Sequence, residues 1–309
     1  MMYSELNEFK KYPISEDVDN WVESIWEMAN SIKCDVEILS DNGFSFSFGI
    51  RHVKNEFRYV KFKPDGMDEF YGYWQPAMSG PAPLLIHTPG YSAQISTHPE
   101  LVSQGYNVLH ISPLGYATPN GPDESKQRDH TWPVLADTIT SHAEKGYKLW
   151  LVNCILAIKW AMEQSEVIEN RVSFFGTSQG GGCSLLLGSI FKDKGVRCVA
   201  ADVPFLTNLP MAKSVGAISY NYEPLCSIDN IDDGWQALGF VDTISHINRL
   251  NCPVLLTAGG KDNICPAEAI KSFSQLYSGT CSYNYFDNLE HRCSREFAIL
   301  LLSWVRMYA

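Results

Sequence analysis

Positive charge is scarce in this sequence. Lysine and arginine number 24 against 35 aspartates and glutamates, for a net charge of −11 at pH 7. A nucleic-acid backbone is neutralised by clustered cations, so no nucleic-acid partner is expected. An anionic membrane surface is disfavoured for the same reason. Long hydrophobic runs are also missing: the longest are Leu149 to Ile158, broken by Asn153, and Phe297 to Val305, broken by Ser303. Both fall short of the ~20 residues that span a bilayer. The acidic first thirty residues hold no apolar leader core. The nine cysteines form no CxxC pair and no Cys/His group at zinc spacing, so no metal is expected and the thiols read as reduced, in a cytoplasmic protein. No Gly-rich dinucleotide or phosphate loop is present, and no cofactor is expected.

What is there is enough apolar material for a full core, 45% hydrophobic against 19% charged residues, which excludes a disordered or fibrous chain. Composition shifts once, near Gly80-Pro81-Ala82-Pro83. Before it, Val18, Trp21, Val22, Ile25, Trp26 and Ala29 recur at helical spacing behind Ser15-Glu16-Asp17. Alternating segments follow at Asp35–Leu39, Phe44–His52, Phe57–Phe62 and Glu69–Trp74, punctuated by Asn42-Gly43 and Pro64-Asp65-Gly66, and predict an antiparallel meander. After Pro83, short apolar runs without alternation begin at Leu84, Asn107, Val172, Val196, Val254 and Cys281. They read as strands buried on both faces. Helical patterns at Lys148–Gln164, Gln179–Phe191, Ala267–Leu276 and Glu290–Met307 lie between or after them. The expected class is α/β, a mainly parallel central sheet flanked by helices. Residues 1–80 are expected to form an N-terminal helix and antiparallel extension packed on a core of residues 81–309, one structural domain overall.

The sharpest motif is Gly176-Thr177-Ser178-Gln179-Gly180, directly after a predicted strand and directly before a helical run. A strand that reverses tightly into a helix leaves the serine Oγ exposed above the sheet, and side chains two before and two after would clash. The helix aims its first N–H groups at an oxygen that becomes an oxyanion. A nucleophilic serine of this kind takes an acid and then a histidine further along the chain. Asp262 follows the predicted strand at Pro253–Thr257, and His291 follows the strand ending at Phe286. Weaker acids are Asp202, at a strand end, Glu290 beside His291, and Asp229, Asp232 and Asp233 in a polar stretch. His87 and His110 fall in predicted buried strands and read as satisfied core histidines. His98, His130, His142 and His246 sit in loops or at helix ends with no partner assigned. The backbone N–H groups of Gln179 and Tyr91 are the expected oxyanion donors. Tyr91, Tyr116, Trp132, Tyr220, Tyr222 and Trp235 are aromatic candidates for substrate contact, Tyr116, Trp132, Tyr220 and Trp235 foremost.

These residues resemble the α/β-hydrolase superfamily, and within it the acetyl xylan esterase / cephalosporin C deacetylase family. The resemblance is carried by Gly72-Tyr73-Trp74-Gln75-Pro76, by Pro83 to Gly90-Tyr91, by Gly176 to Gly182, by Gly260-Lys261-Asp262-Asn263-Ile264-Cys265-Pro266, and by His291. It implies a serine carboxylesterase that removes acetyl or other short acyl groups from a small-molecule or oligosaccharide ester. It also implies a homo-oligomer. One departure is plain: where the family carries an Arg-Gly-Gln-Gly-like segment, this chain has Pro113-Leu114-Gly115-Tyr116-Ala117-Thr118. Other readings of the same core are a dienelactone-hydrolase-like enzyme or a peptidase-type serine hydrolase. A binding protein on a hydrolase scaffold is disfavoured by the intact serine, acid and histidine.

Overall fold

A computed structural model describes residues 7–39, 57–91, 95–123, 146–217 and 231–309. The expected strand Phe44–His52, the Asn42-Gly43 turn, Asp229, His130, His142, Trp132, Tyr220 and Tyr222 lie outside the described residues. The strands are β1 (Cys34–Ile38), β2 (Arg58–Pro64), β3 (Phe70–Gln75), β4 (Ala82–Thr88), β5 (Asn107–Ser112), β6 (Ala117–Thr118), β7 (Gly121–Pro122), β8 (Val167–Thr177), β9 (Val196–Asp202), β10 (Val254–Gly259) and β11 (Cys281–Phe286). The α-helices are α1 (Ser15–Ser31), α2 (Pro99–Ser103), α3 (Tyr147–Met162), α4 (Gln179–Ile190), α5 (Leu209–Ser214), α6 (Ile231–Val241), α7 (Ala267–Leu276) and α8 (Arg295–Tyr308).

Among the described residues one nine-stranded sheet runs in the order β1-β2-β3-β5-β4-β8-β9-β10-β11. From β5 to β11 every pairing is parallel, whereas β1, β2 and β3 pair antiparallel and join the sheet through β3 against β5. The expected meander is therefore a continuation of the main sheet. The central strands carry apolar side chains on both faces because helices cover both. One face shares its core with α1, α3 and α4, the other with α2 and α8. Helix α1 turns Val18, Val22, Ile25 and Ala29 inward, and its Trp26 Nε1 donates to Ile190 O at 3.0 Å. No described helix is long and apolar enough to cross a membrane.

Because the six parallel strands point the same way, the loops after β4, β8, β9, β10 and β11 gather at one edge, where ligand sites of open α/β sheets form. Ser178, Asp262 and His291 all lie in that set.

Candidate active site

Ser178 sits between β8 and α4 at φ 58°, ψ −119°. Non-glycine residues avoid this region, and holding one there costs about 1–3 kcal/mol. Backbone bonds on both sides hold it: Ser178 N–H donates to Asp202 O at 2.8 Å, and Phe205 N–H donates to Ser178 O at 2.9 Å. The flanking glycines are required by contact. A Cβ on Gly176 would lie 2.6 Å from Thr88 O, and one on Gly180 only 2.1 Å from the same oxygen. Thr88 Oγ1 closes the joint by donating to Gly180 O at 2.7 Å. Beside the serine, burial, with the Asp262 charge adding, pushes the Cys265 thiol far above its ordinary range. It stays protonated and does not compete as a nucleophile.

Ser178 Oγ lies 2.8 Å from His291 Nε2, and His291 Nδ1 lies 2.8 Å from Asp262 Oδ2. A carboxylate only accepts, so Nδ1–H donates to Asp262 and leaves the Nε2 lone pair toward the serine hydroxyl. The other carboxylate oxygen, Asp262 Oδ1, accepts the N–H groups of Ile264 at 2.9 Å and Cys265 at 2.8 Å. Its side chain is buried while the His291 ring keeps partial access to solvent. Such a chain can draw the proton from the serine as its oxygen attacks a carbonyl.

The acetyl xylan esterase (AXE1) family model matches residues 2–306. The chain belongs to this family. It is 24% identical over 219 residues to acetyl esterase Axe7A of Xylanibacter ruminicola, a match covering 67% of this chain and 49% of that protein. The chain thus spans about half the length of the curated relative it matches. Among solved structures it resembles acetyl xylan esterase 1 from Thermoanaerobacterium sp. JW/SL YS485, with a TM-score of 0.78 at 19% identity, covering 96% of this chain and 95% of that one. Acetyl xylan esterase from Paenibacillus sp. R4 follows at 0.73 and 17%, covering 96% of each chain. At such identities the likeness establishes the shared α/β-hydrolase fold.

In this member of the acetyl xylan esterase family, the segment that departs from the family pattern forms a 3-10 turn, Pro113–Gly115, with Leu114 at φ 59°. Ser112 Oγ donates to Ala117 O at 2.9 Å, and the β6-β7 hairpin follows. Tyr116 is 4% exposed and Trp235 3%, so both stand as packing residues rather than open stacking platforms. Trp235 is part of the core and carries Lys213 Nζ over its ring at 4.9 Å. Among the described residues of the group, Tyr91 is the exposed one, in the turn after β4. The Gln179 side chain faces inward and donates to Tyr147 OH at 2.9 Å. This leaves its main chain as the part at the serine, first in α4.

The other acids and histidines separate by environment. Glu290 is exposed, and Asp232 and Asp233 belong to the first turn of α6 rather than to a loop. His246 is buried and fully partnered, by Ser189 Oγ at 2.8 Å and Phe240 O at 2.8 Å. His87 and His110 are not the separately satisfied core residues expected from their strands: they meet each other and His98, and His110 Nε2 has no partner among the described residues. Burial first, and then the neighbouring imidazoles, hold His87 well below its ordinary range. Burial and His98 bring His110 down to about 3.

Asp202 is not bonded to His291. It is wholly buried beneath the site, its Oδ1 accepting from Thr257 Oγ1 at 2.5 Å and its Oδ2 from Thr177 Oγ1 at 3.0 Å. Burial pushes its carboxyl from an ordinary 3.8 up to about 6, against the pull of those two hydroxyls. Between these values the folded chain holds a proton that the unfolded chain has released. Stability from this group is therefore present below pH ~4 and lost as pH rises through about 6, a change of roughly 3 kcal/mol. Asp202→Asn removes the dependence. Its stability relative to wild type, from urea unfolding, is expected to rise by up to ~3 kcal/mol between pH 4 and pH 8. The comparison cancels the opposite contribution of His110 and His246, whose values fall to about 3 and about 4. A difference that stays flat across that range refutes the assignment.

Proposed function

We propose that the protein is a serine carboxylesterase that removes acetyl or another short acyl group from a hydroxyl of an oligosaccharide or small molecule. The observation that carries this reading is the continuous relay from Ser178 Oγ through His291 to Asp262, at 2.8 Å and 2.8 Å. The names of its relatives, an acetyl esterase and acetyl xylan esterases, support acetyl as the acyl group.

Ser178 Oγ attacks the ester carbonyl carbon while His291 Nε2 takes its proton, and Asp262 stabilises the imidazolium that forms. The carbonyl oxygen becomes an oxyanion against the N–H groups of Gln179 and Tyr91, each worth about 3 kcal/mol in the transition state. The C–O bond to the alcohol breaks, and the alcohol leaves with the proton from His291. Water, deprotonated by the same imidazole, then attacks the acyl-enzyme and releases the carboxylic acid and the free serine. The free thiols of the described cysteines, Cys293 among them exposed, support a reducing, cytoplasmic setting.

Hydrolysis of p-nitrophenyl acetate, butyrate and octanoate, beside acetate release from acetylated xylo-oligosaccharides, tests the acyl assignment. Acetate is expected to be turned over at least about tenfold faster per active site than octanoate, a methylene being worth ~1–3 kcal/mol in a fitted pocket. Faster turnover of octanoate would keep the esterase and discard the acetyl group. No hydrolysis of any ester overturns the proposal.

A further inference from the structure

Away from Ser178, three imidazoles converge on one point. His87 in β4 and His110 in β5 are register partners on adjacent parallel strands, and their Nδ1 atoms lie 2.7 Å apart. His98, just before α2, brings its Nε2 to 3.0 Å from the same His87 Nδ1. Its main chain is fixed there by a bond from His98 N–H to Gln75 Oε1 at 2.6 Å. Phe175 packs parallel to the His87 ring at 4.8 Å and edge-on to His98 at 5.1 Å. Behind His98, on its far nitrogen, stands a carboxylate: Glu100 Oε1 is 3.4 Å from His98 Nδ1.

Hydrogen bonding alone serves this cluster badly. For His87 Nδ1 to accept from both neighbours, His110 must carry its proton on Nδ1 and His98 on Nε2. The His98 Nδ1 lone pair then faces the carboxylate of Glu100 at 3.4 Å, whereas the buried His110 Nε2 is without a partner among the described residues in either arrangement. If instead the three convergent nitrogens hold lone pairs, His98 carries its proton on Nδ1 and donates it toward Glu100. That is the arrangement in which a carboxylate orients a metal-bound imidazole.

We propose that His87 Nδ1, His98 Nε2 and His110 Nδ1 form a binding site for a divalent late first-row transition ion, Zn²⁺ foremost. Imidazole suits this class of ion. With metal–nitrogen bonds of about 2.0–2.1 Å, ligand pairs at angles between a right angle and the tetrahedral value lie about 2.9–3.4 Å apart. The observed 2.7 and 3.0 Å need only a few tenths of an ångström of opening. Three protein nitrogens leave a further position for solvent. The site serves position rather than ester chemistry: His87 and His98 stand at the two ends of the segment that carries Tyr91, and the ion ties both to β5. Binding of the ion does not depend on the esterase reading, so the two can fail separately.

The test uses full-length, tag-free protein stripped with a chelator, then titrated with Co²⁺ followed by visible absorption, and with Zn²⁺ by equilibrium dialysis and by competition. One ion per chain is expected at micromolar concentration or below. His98→Asn, at a partly exposed position, is expected to weaken binding by about 100-fold or more and Glu100→Gln by about tenfold. Both should keep the metal-free melting temperature of wild type, and Zn²⁺ should raise that temperature in wild type but not in His98→Asn. No stoichiometric binding at ~100 µM Zn²⁺, or binding that both variants leave unchanged, overturns the site; the latter result would mean coordination elsewhere on the surface.

Discussion

Ser178→Ala is expected to lower kcat on p-nitrophenyl acetate by about 10⁴-fold or more, a barrier increase of ~5.5 kcal/mol. The loss should come with no loss of fold. The φ of 58° at this position strains alanine as it strains serine, and the main-chain bonds to Asp202 and Phe205 remain. The side chain gives up its contact with the His291 ring at 2.8 Å. Melting temperature is therefore expected to stay within a few degrees of wild type, which separates chemistry from collapse.

A stricter form of the same test uses His291. If the hydroxyl and the imidazole act as one unit, His291→Ala costs about as much as Ser178→Ala, and the double variant costs no more than either alone. Additive losses would mean that the two residues work independently, whatever their 2.8 Å separation. A pre-steady-state burst of p-nitrophenol, one per chain in wild type and absent in Ser178→Ala, would identify the serine as the acylated group. Retention of more than about one hundredth of the wild-type rate in the alanine variant would move the nucleophile elsewhere.

What the sequence shows about this site depends on where the chain turns. Ser178, Asp262 and His291 each follow a strand whose apolar run is plain, so their convergence at one edge was legible from alternation of strand and helix alone. Helix α8 was harder. The helical pattern was read from Glu290, yet the helix begins at Arg295. Main-chain bonds from Lys261 N–H to Leu289 O and from Leu289 N–H to Phe286 O draw those residues into the site loop. The start signal was present in Ser294, whose Oγ accepts from Phe297 N–H at 3.0 Å as an N-cap. Similarly, Asp232-Asp233 looked like loop but opens α6, where carboxylates favour the positive end of the dipole. Strand β8 runs from Val167, five residues before its apolar stretch, because ladder pairing to Ala82 carries exposed Glu169 and Asn170 with it. The histidine cluster was illegible for a different reason. His87, His98 and His110 match no ligand spacing, and sheet register alone brings 87 beside 110.

The other large effect belongs to a residue with no side chain. In Gly180→Ala the new Cβ would lie 2.1 Å from Thr88 O and 2.8 Å from Pro89 O, both main-chain atoms. No rotamer change relieves such a contact, so either the end of β4 or the start of α4 must move. Two effects then oppose each other. Alanine favours a helix over glycine by about 1 kcal/mol, while overpacking of this kind costs ~1–3 kcal/mol. The shift also loosens the bond from Thr88 Oγ1 to Gly180 O, at 2.7 Å, so destabilisation wins. Function suffers more than stability, because the displaced strand end leads directly into Pro89, Gly90 and Tyr91. Tyr91 carries one of the two oxyanion donors proposed above, and a donor misplaced by ~1 Å costs about 100-fold, so kcat should fall by about that factor with KM changed far less. Gly80→Ala is the control. Unlike Gly180 it has a positive φ, of 63°, and nothing lies within 4 Å of its Cβ, so it should cost about 1 kcal/mol in strain and leave kcat alone. If Gly180→Ala behaves like Gly80→Ala, the close approach of β4 to the elbow is not what sets the geometry around Ser178. If it loses kcat while urea unfolding moves by no more than ~3 kcal/mol, then the close approach of the Thr88 and Pro89 main chain to the elbow sets the geometry around Ser178.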